Sequence, residues 1–218
     1  MSSDAMNEPD FEPYAATDMR RAYEALAATY DSNRGLFDMT PILEDFFARL
    51  PPGDGELLDL GCGAGEPVAE AFVERGWLVI GVDFCEAMLA LARRHVPHMR
   101  RICADIREVA FAPESFSAVT AVYSLFHVPA DEHLSLFRRA QTWLRPGGRF
   151  LFTYASRDYT QADAFDGWKT FMGQRLYYSH RTPDTLASQL EAAGLECESL
   201  QEREIGGERF LWVIARRP

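Results

Sequence analysis

The sequence predicts an α/β fold, a doubly wound and mostly parallel sheet closed by an antiparallel hairpin, on three observations. Five continuous apolar runs alternate with amphipathic stretches between Gly55 and Ala155, and Gly or Pro punctuates the ends of those stretches. Two long strand-like segments then close the chain, joined by Gly206-Gly207, a pair suited to a two-residue hairpin turn. Runs that are apolar on both faces belong in a buried parallel sheet with helices packed above and below it.

The opening stretch MSSDAMNEPDFEP is polar, carries two prolines and lacks apolar periodicity, so a loose tail is expected through residue 16. Helix is expected over Thr17–Tyr30, where Met19, Tyr23, Leu26 and Tyr30 recur at helical spacing behind a Thr or Asp cap. Thr40 and Pro41 start a second helix, PILEDFFARL, which stops at Pro51-Pro52-Gly53. The strands GELLDL, WLVIGVD, RRICAD, SFSAVTAVYSL and GRFLFTYA follow. Between them lie the helices PVAEAFVER closed by Gly76, CEAMLALARRH closed near Pro97, and DEHLSLFRRAQTWL closed by Pro146-Gly147-Gly148. Asp158 to His180 is rich in aromatics and weakly periodic. A helix near Thr182–Ala193 precedes the terminal hairpin of GLECESLQEREI and ERFLWVIARR.

With 218 residues and 47% hydrophobic content the chain can bury one sizeable core, and one domain is expected over 17–218. A formal net charge of −11 argues against a general nucleic-acid or anionic-membrane binder, whose affinity comes largely from Lys and Arg. Cys62, Cys85, Cys103 and Cys197 show no C-x-x-C spacing, and neither a secretory leader nor a membrane-length apolar span is present. A reduced cytoplasm is the expectation. Three of the cysteines end predicted strands, where such a residue serves as a small buried hydrophobe.

In a doubly wound sheet the ligand lies at the carboxyl ends of the strands, and the loop after the first strand lets the backbone approach it closely. Gly61, Gly63 and Gly65 form that loop, and Asp83, ending the second strand, stands where an acid can accept from ribose hydroxyls. The spacing is G-x-G-x-G, and Glu66 occupies the place of the third glycine of a dinucleotide fingerprint. A carboxylate there would repel a pyrophosphate.

The motifs LLDLGCGAG, VIGVDFCEAMLALA, CADIREVAF, FSAVTAVYSLFHVP and LRPGGRFLFT occur in this order, ahead of the terminal hairpin. From Tyr23 to the C-terminus the chain resembles class I S-adenosylmethionine-dependent methyltransferases. The resemblance implies a Rossmann-like, seven-stranded sheet with a helical lid: lid helices within 17–50 and a substrate-cover insert at 157–181. It implies S-adenosylmethionine as methyl donor and S-adenosylhomocysteine as product. On that basis Asp59 and the backbone of Gly61–Gly65, with Cys62 among them, hold the methionine end; Asp83 takes the ribose diol; Asp105 and Ile106 take the adenine. Tyr123 joins this set, and Tyr30, followed by Asp31, matches a Tyr-Asp pair by which the N-terminal helix closes over the cofactor. Phe84 and Met88 either pack against adenine or fill the core. The fourth motif begins Phe116-Ser117 where the family has Phe-Asp, at the strand end remote from the cofactor.

Methyl transfer from a sulfonium is an in-line displacement that needs alignment and, for a protonated acceptor, a base. The fourth strand ends in Tyr123-Ser124-Leu125-Phe126 instead of the Asn- or Asp-Pro-Pro-aromatic tetrad of amide and base N-methyltransferases. No carboxylate set for a catalytic magnesium ion stands out, so no metal is expected, and RRHVPHMRR reads as a solvated surface. His127, just past the fourth strand, is either a general base near neutral pH or a loop-shaping residue bonded to a carbonyl. His180 in LYYSH is the second candidate; His133 reads as an exposed helix start. Tyr23, His127, Trp168, Met172 and Tyr178 are the candidate acceptor contacts, and Tyr14, Phe171 and Tyr177 share their aromatic segments. A small, partly aromatic acceptor methylated on O or N is the expectation. Methylation of a macromolecule, or cofactor binding without catalysis, stands as the alternative.

Overall fold

The computed structural model describes residues 12–32, 38–51, 53 and 55–218. Its two N-terminal helices are α1 (Ala16–Ser32) and α2 (Thr40–Arg49). A βα alternation follows: β1 (Glu56–Leu60), α3 (Val68–Glu74), β2 (Leu78–Asp83), α4 (Glu86–His95), β3 (Arg100–Cys103) and β4 (Phe116–Ala121). After a 3₁₀ turn at Leu125–His127 come α5 (His133–Trp143) and β5 (Leu144–Tyr154). The last part contains α6 (Arg157–Thr160), β6 (Phe165–Phe171), β7 (Gln174–His180), α7 (Pro183–Ala192), β8 (Glu196–Ile205) and β9 (Glu208–Arg216).

Seven strands form one sheet in the order β3-β2-β1-β4-β5-β9-β8, parallel except that β9 runs antiparallel to both neighbours. Strand order reverses between β1 and β4, which makes their carboxyl ends the place where a crevice opens. β1 and β4 are buried along most of their length because Leu57, Leu58, Leu60, Ala118, Val119 and Ala121 meet helices on both faces. Gly206 and Gly207 have φ of +61° and +82° and join the paired residues Ile205 and Glu208, the backbone a tight hairpin demands.

Three boundaries differ from expectation. β4 ends at Ala121, not Leu125, because Tyr123 adopts φ +53° and the chain then coils into the 3₁₀ turn. β5 begins at Leu144, ahead of Pro146-Gly147-Gly148, and the pairing shift between Phe116 and Ala118 accommodates those residues. The stretch from Asp158 contains the antiparallel β6–β7 hairpin, so the cover over the sheet is a β hairpin packed with α1 (Met19, Ala22 and Leu26 against Leu176, Tyr177 and Tyr178). α2 instead packs Ile42, Leu43 and Phe46 with Phe72 and Trp77 on the sheet's flank.

Positions 1–11 of the expected tail lie outside the described residues. Glu12 and Tyr14 are engaged: the Trp168 indole N–H donates to the Glu12 carbonyl at 3.1 Å, and the Tyr14 ring meets Tyr177 edge-on. Cys62 and Cys85 are buried as expected, but Cys103 and Cys197 are exposed. His133 is fully buried rather than exposed, its ring held by the Tyr154 hydroxyl and the Val128 carbonyl.

Candidate active site

At the carboxyl ends of β1, β2 and β4 a cleft encloses roughly 1200 Å³ of space continuous with solvent. The glycine loop forms its floor. Gly61 has φ +74°, and a Cβ there would lie 2.3 Å from the Ser124 Cβ, so the turn requires glycine. The Ser124 hydroxyl in turn donates to the Leu60 carbonyl at 2.6 Å and ties the β4 loop to the end of β1. Gly63, with φ +50°, would meet nothing within 4 Å. That open backbone is the cradle a ligand's polar end needs.

Asp83 binds its surroundings through both oxygens: Oδ2 accepts from the Gly63 N–H at 2.9 Å and Oδ1 from the Cys85 N–H at 2.8 Å. Each oxygen keeps a lone pair, which suits a vicinal diol. Burial pushes its carboxyl up to about 6 against those two hydrogen bonds. Asp59, 3% exposed, accepts from the Thr120 hydroxyl at 2.7 Å. Burial, with Asp83 nearby, pushes it up to about 7. A buried acid so raised gains most from a cationic partner, as an α-amino group would be.

Asp105, expected at the adenine, is engaged by its neighbour. The Asp105 carboxylate already accepts from the Arg107 backbone N–H and, at 2.8 to 3.1 Å, from its guanidinium. An exocyclic amine would have to share it with Arg107. Ile106 does line the cleft, and Arg139 from α5 donates to the carbonyls of Ile106, Arg107 and Val109, clamping this loop. Arg107 also reaches Glu132 and lies 4.5 Å over the Tyr14 ring.

Asp59, Gly61, Cys62, Gly63, Gly65, Asp83, Phe84, Met88, Asp105, Ile106 and Tyr123 all line this cleft. Met88 is 1% exposed and packs in the core with Leu91. The side chain of Tyr30 lies outside the described residues. Tyr23, His127 and Tyr178 line the cleft as well; Trp168 and Met172 do not. Trp168 is buried in the cover, and Met172 is exposed at the β6–β7 turn with φ +47°. His180 is also displaced from the cleft, its ring nitrogens bonded to the Thr160 hydroxyl at 2.7 Å and the Arg181 carbonyl.

His127 meets the Tyr177 carbonyl through Nδ1 and the Tyr23 hydroxyl through Nε2 at 2.8 Å. A carbonyl only accepts, so Nδ1 carries the proton and bare Nε2 accepts from Tyr23. Burial lowers its pKa to about 4, the carbonyl resisting. The ring is therefore neutral at pH 7. The loop-shaping bond to a carbonyl is present, and it leaves Nε2 as the acceptor nitrogen, which Tyr23 bridges.

Arg107, Met39, Glu208 and Phe210 line the cleft without having been singled out from the sequence. Glu208 and Phe210 were readable, because residues two apart on a strand share a face. In RRHVPHMRR, Val96 and Met99 are buried and His95 is half-buried, 2.9 Å from Asp31 of α1. Only part of that run is solvated surface. Among the described residues no cluster of three or more His, Cys, Asp or Glu is arranged to hold a metal ion, and no helix is long and apolar enough to cross a membrane.

Residues 30–200 match the family model of the methyltransferase domain. The chain belongs to this family. Its sheet order and glycine loop are those of the class I S-adenosylmethionine-dependent methyltransferases, and the loop, the buried Asp83 carboxylate and the raised Asp59 suit that cofactor. Curated relatives include the ubiquinone biosynthesis O-methyltransferases of Stutzerimonas stutzeri and Saccharophagus degradans. The first is 37% identical over 47% of this chain, which spans 45% of that relative's length. The second is 29% identical over 82% of this chain and 81% of the relative. The crystal structure of an S-adenosylmethionine-dependent methyltransferase from Mesorhizobium loti superposes with a TM-score of 0.68, at 25% identity, over 82% of this chain and 97% of that one.

Proposed function

We propose that this methyltransferase-family chain transfers a methyl group from S-adenosylmethionine to an oxygen or nitrogen of a small ring-bearing molecule, with His127 receiving the acceptor's proton. The observation that carries the reading is one cleft lined by the glycine loop, Asp83 and the hydrogen-bonded pair Tyr23–His127, whose Nε2 is the accepting nitrogen. The bound donor supplies a methyl group on a sulfonium. The acceptor heteroatom forms a bond to the methyl carbon, the carbon–sulfur bond breaks with its electron pair going to sulfur, and the acceptor's proton goes to Nε2.

The protein's part is alignment and proton removal. Asp59 and the Gly61–Gly65 backbone hold the amino-acid end, Asp83 the ribose, and Ile106 with Asp105 the base. Tyr23 now occupies the lone pair an acceptor O–H or N–H needs, so it either yields that place or relays the proton. Aromatic walls at Phe126, Tyr178 and Phe210, with Phe126 stacked between the other two, suit a flat acceptor. The O-methyltransferase relatives support oxygen as the acceptor atom.

A metabolite pool incubated with methyl-labelled cofactor and resolved by mass spectrometry should yield a labelled small molecule. Calorimetry should find binding of S-adenosylmethionine and S-adenosylhomocysteine and none of NADH. Binding of NADH alone would overturn the assignment.

A further inference from the structure

The acceptor side of the cleft carries one carboxylate that the methyl-transfer chemistry does not use. Glu208 is the first residue of β9, directly after the Gly206-Gly207 turn, and it lines the cleft together with Phe210 on the same strand face. Phe210 stacks on Phe126 at 4.9 Å between ring centroids, and Phe126 is next to His127. Glu208 therefore stands on the wall that also presents the candidate base. Tyr159 supports it from behind: that hydroxyl bonds to Glu208 and lies 3.0 Å from the Tyr178 hydroxyl.

Charge decides what such a wall accepts. Glu208 is half-buried, and no Arg, Lys or His side chain pairs with it among the described residues. Its neighbour Arg209 is turned to Asp158 and Glu204. Among the described residues the lining also holds Asp59, Glu66, Asp83 and Asp105, while its one guanidinium, Arg107, is committed to Asp105 and Glu132. Burial pushes the Glu208 carboxyl up, and the Tyr159 bond opposes that rise. Among the described lining residues a carboxylate or phosphate on the acceptor would meet no uncommitted cation, whereas an ammonium would gain Glu208.

Resting on the methyl-transfer reading above, we infer that Glu208 is an acceptor-specificity residue and that it selects a small ring compound bearing a protonated amine. The amine sits against Glu208 while another heteroatom of the same molecule faces His127.

The test uses two ring compounds of matched size and opposite charge, tyramine and 4-hydroxyphenylpropionate, titrated by calorimetry into the full chain saturated with S-adenosylhomocysteine. Tyramine should bind about tenfold or more tighter than the propionate. Glu208→Gln should abolish that preference and Glu208→Lys should reverse it, with S-adenosylhomocysteine affinity reporting that each variant is folded. Equal or tighter binding of the propionate to the wild-type chain, no binding of tyramine, or an unchanged preference in Glu208→Gln would each overturn the assignment. The parent reading fails separately, through absent binding of S-adenosylhomocysteine. Tight product binding with no charge preference sinks only the role of Glu208.

Discussion

At His127 the Tyr177 carbonyl sets the tautomer and burial sets the charge, so the ring is neutral at pH 7 with Nε2 as acceptor. If it takes the acceptor's proton, His127→Gln should bind cofactor normally and lose about 10² to 10⁴ in turnover. The loss should shrink at high pH, where the acceptor ionises unaided. Near-normal turnover across the pH range would remove His127 from the reaction. Because its pKa is lowered to about 4, kcat should show no inflection near the ordinary histidine value. Asp59, raised to about 7, titrates there instead, and only its ionised form attracts a cationic amino group. The KM for S-adenosylmethionine should therefore rise as pH falls below about 7 while kcat holds; a kcat inflection near 6.5 would contradict this division. Asp83→Ala should weaken cofactor binding by about 1 to 3 kcal/mol, the scale of lost hydrogen bonds in a buried site, and unchanged affinity would place the ribose elsewhere.

Among the elements, the sheet was legible and the two strands within the 157–181 segment were not. β1, β2 and β4 announce themselves because a strand buried on both faces must be apolar throughout. β6 and β7 mix Lys169, Thr170 and Arg175 with aromatics, and their two-residue turn is Met172-Gly173, with φ +47° and +78°. Asn-Gly would have marked such a turn; a methionine in the left-handed region leaves no signal. His133 was misread for a related reason. Its polar neighbours suggest solvent, yet Tyr154 of β5 and Ser179 of β7 close over it. The cover has its own cluster, centred on Met19, which is fully buried and accepts the Tyr177 N–H through sulfur. Met19→Ala should then speed amide exchange in α1 and β7 while β1, β4 and β5 stay protected. Uniform loss of protection would show that cover and sheet open as one unit.

For the whole molecule, the site is built at the cost of stability in the free chain. Asp59 and Asp83 have folded pKa values raised above the unfolded one, so their protonated forms favour folding, and that contribution disappears as pH rises through about 6 to 7. His127 and His133, lowered to about 4, work the other way and lose stability as pH falls from 6.5 toward 4. Above pH 7 the histidines are neutral in both states, and what remains is the burden of two buried carboxylates. Asp59→Asn should lift it. Its amide oxygen can still accept from Thr120, and its NH₂ faces the cleft. At about pH 8 the free variant should melt a few degrees above the wild-type chain, since 1 kcal/mol moves Tm by about 2 to 4 °C at this size. The gain should shrink as pH falls below about 7 and vanish only below about pH 4, where Asp59 is protonated in the unfolded chain as well. The same variant should lose most of the Tm rise that S-adenosylhomocysteine gives the wild-type chain, because the neutral amide no longer attracts its ammonium. A variant that melts lower at pH 8, or that keeps the full ligand-induced rise, would show that Asp59 is neither a strained charge nor the partner of the amino group.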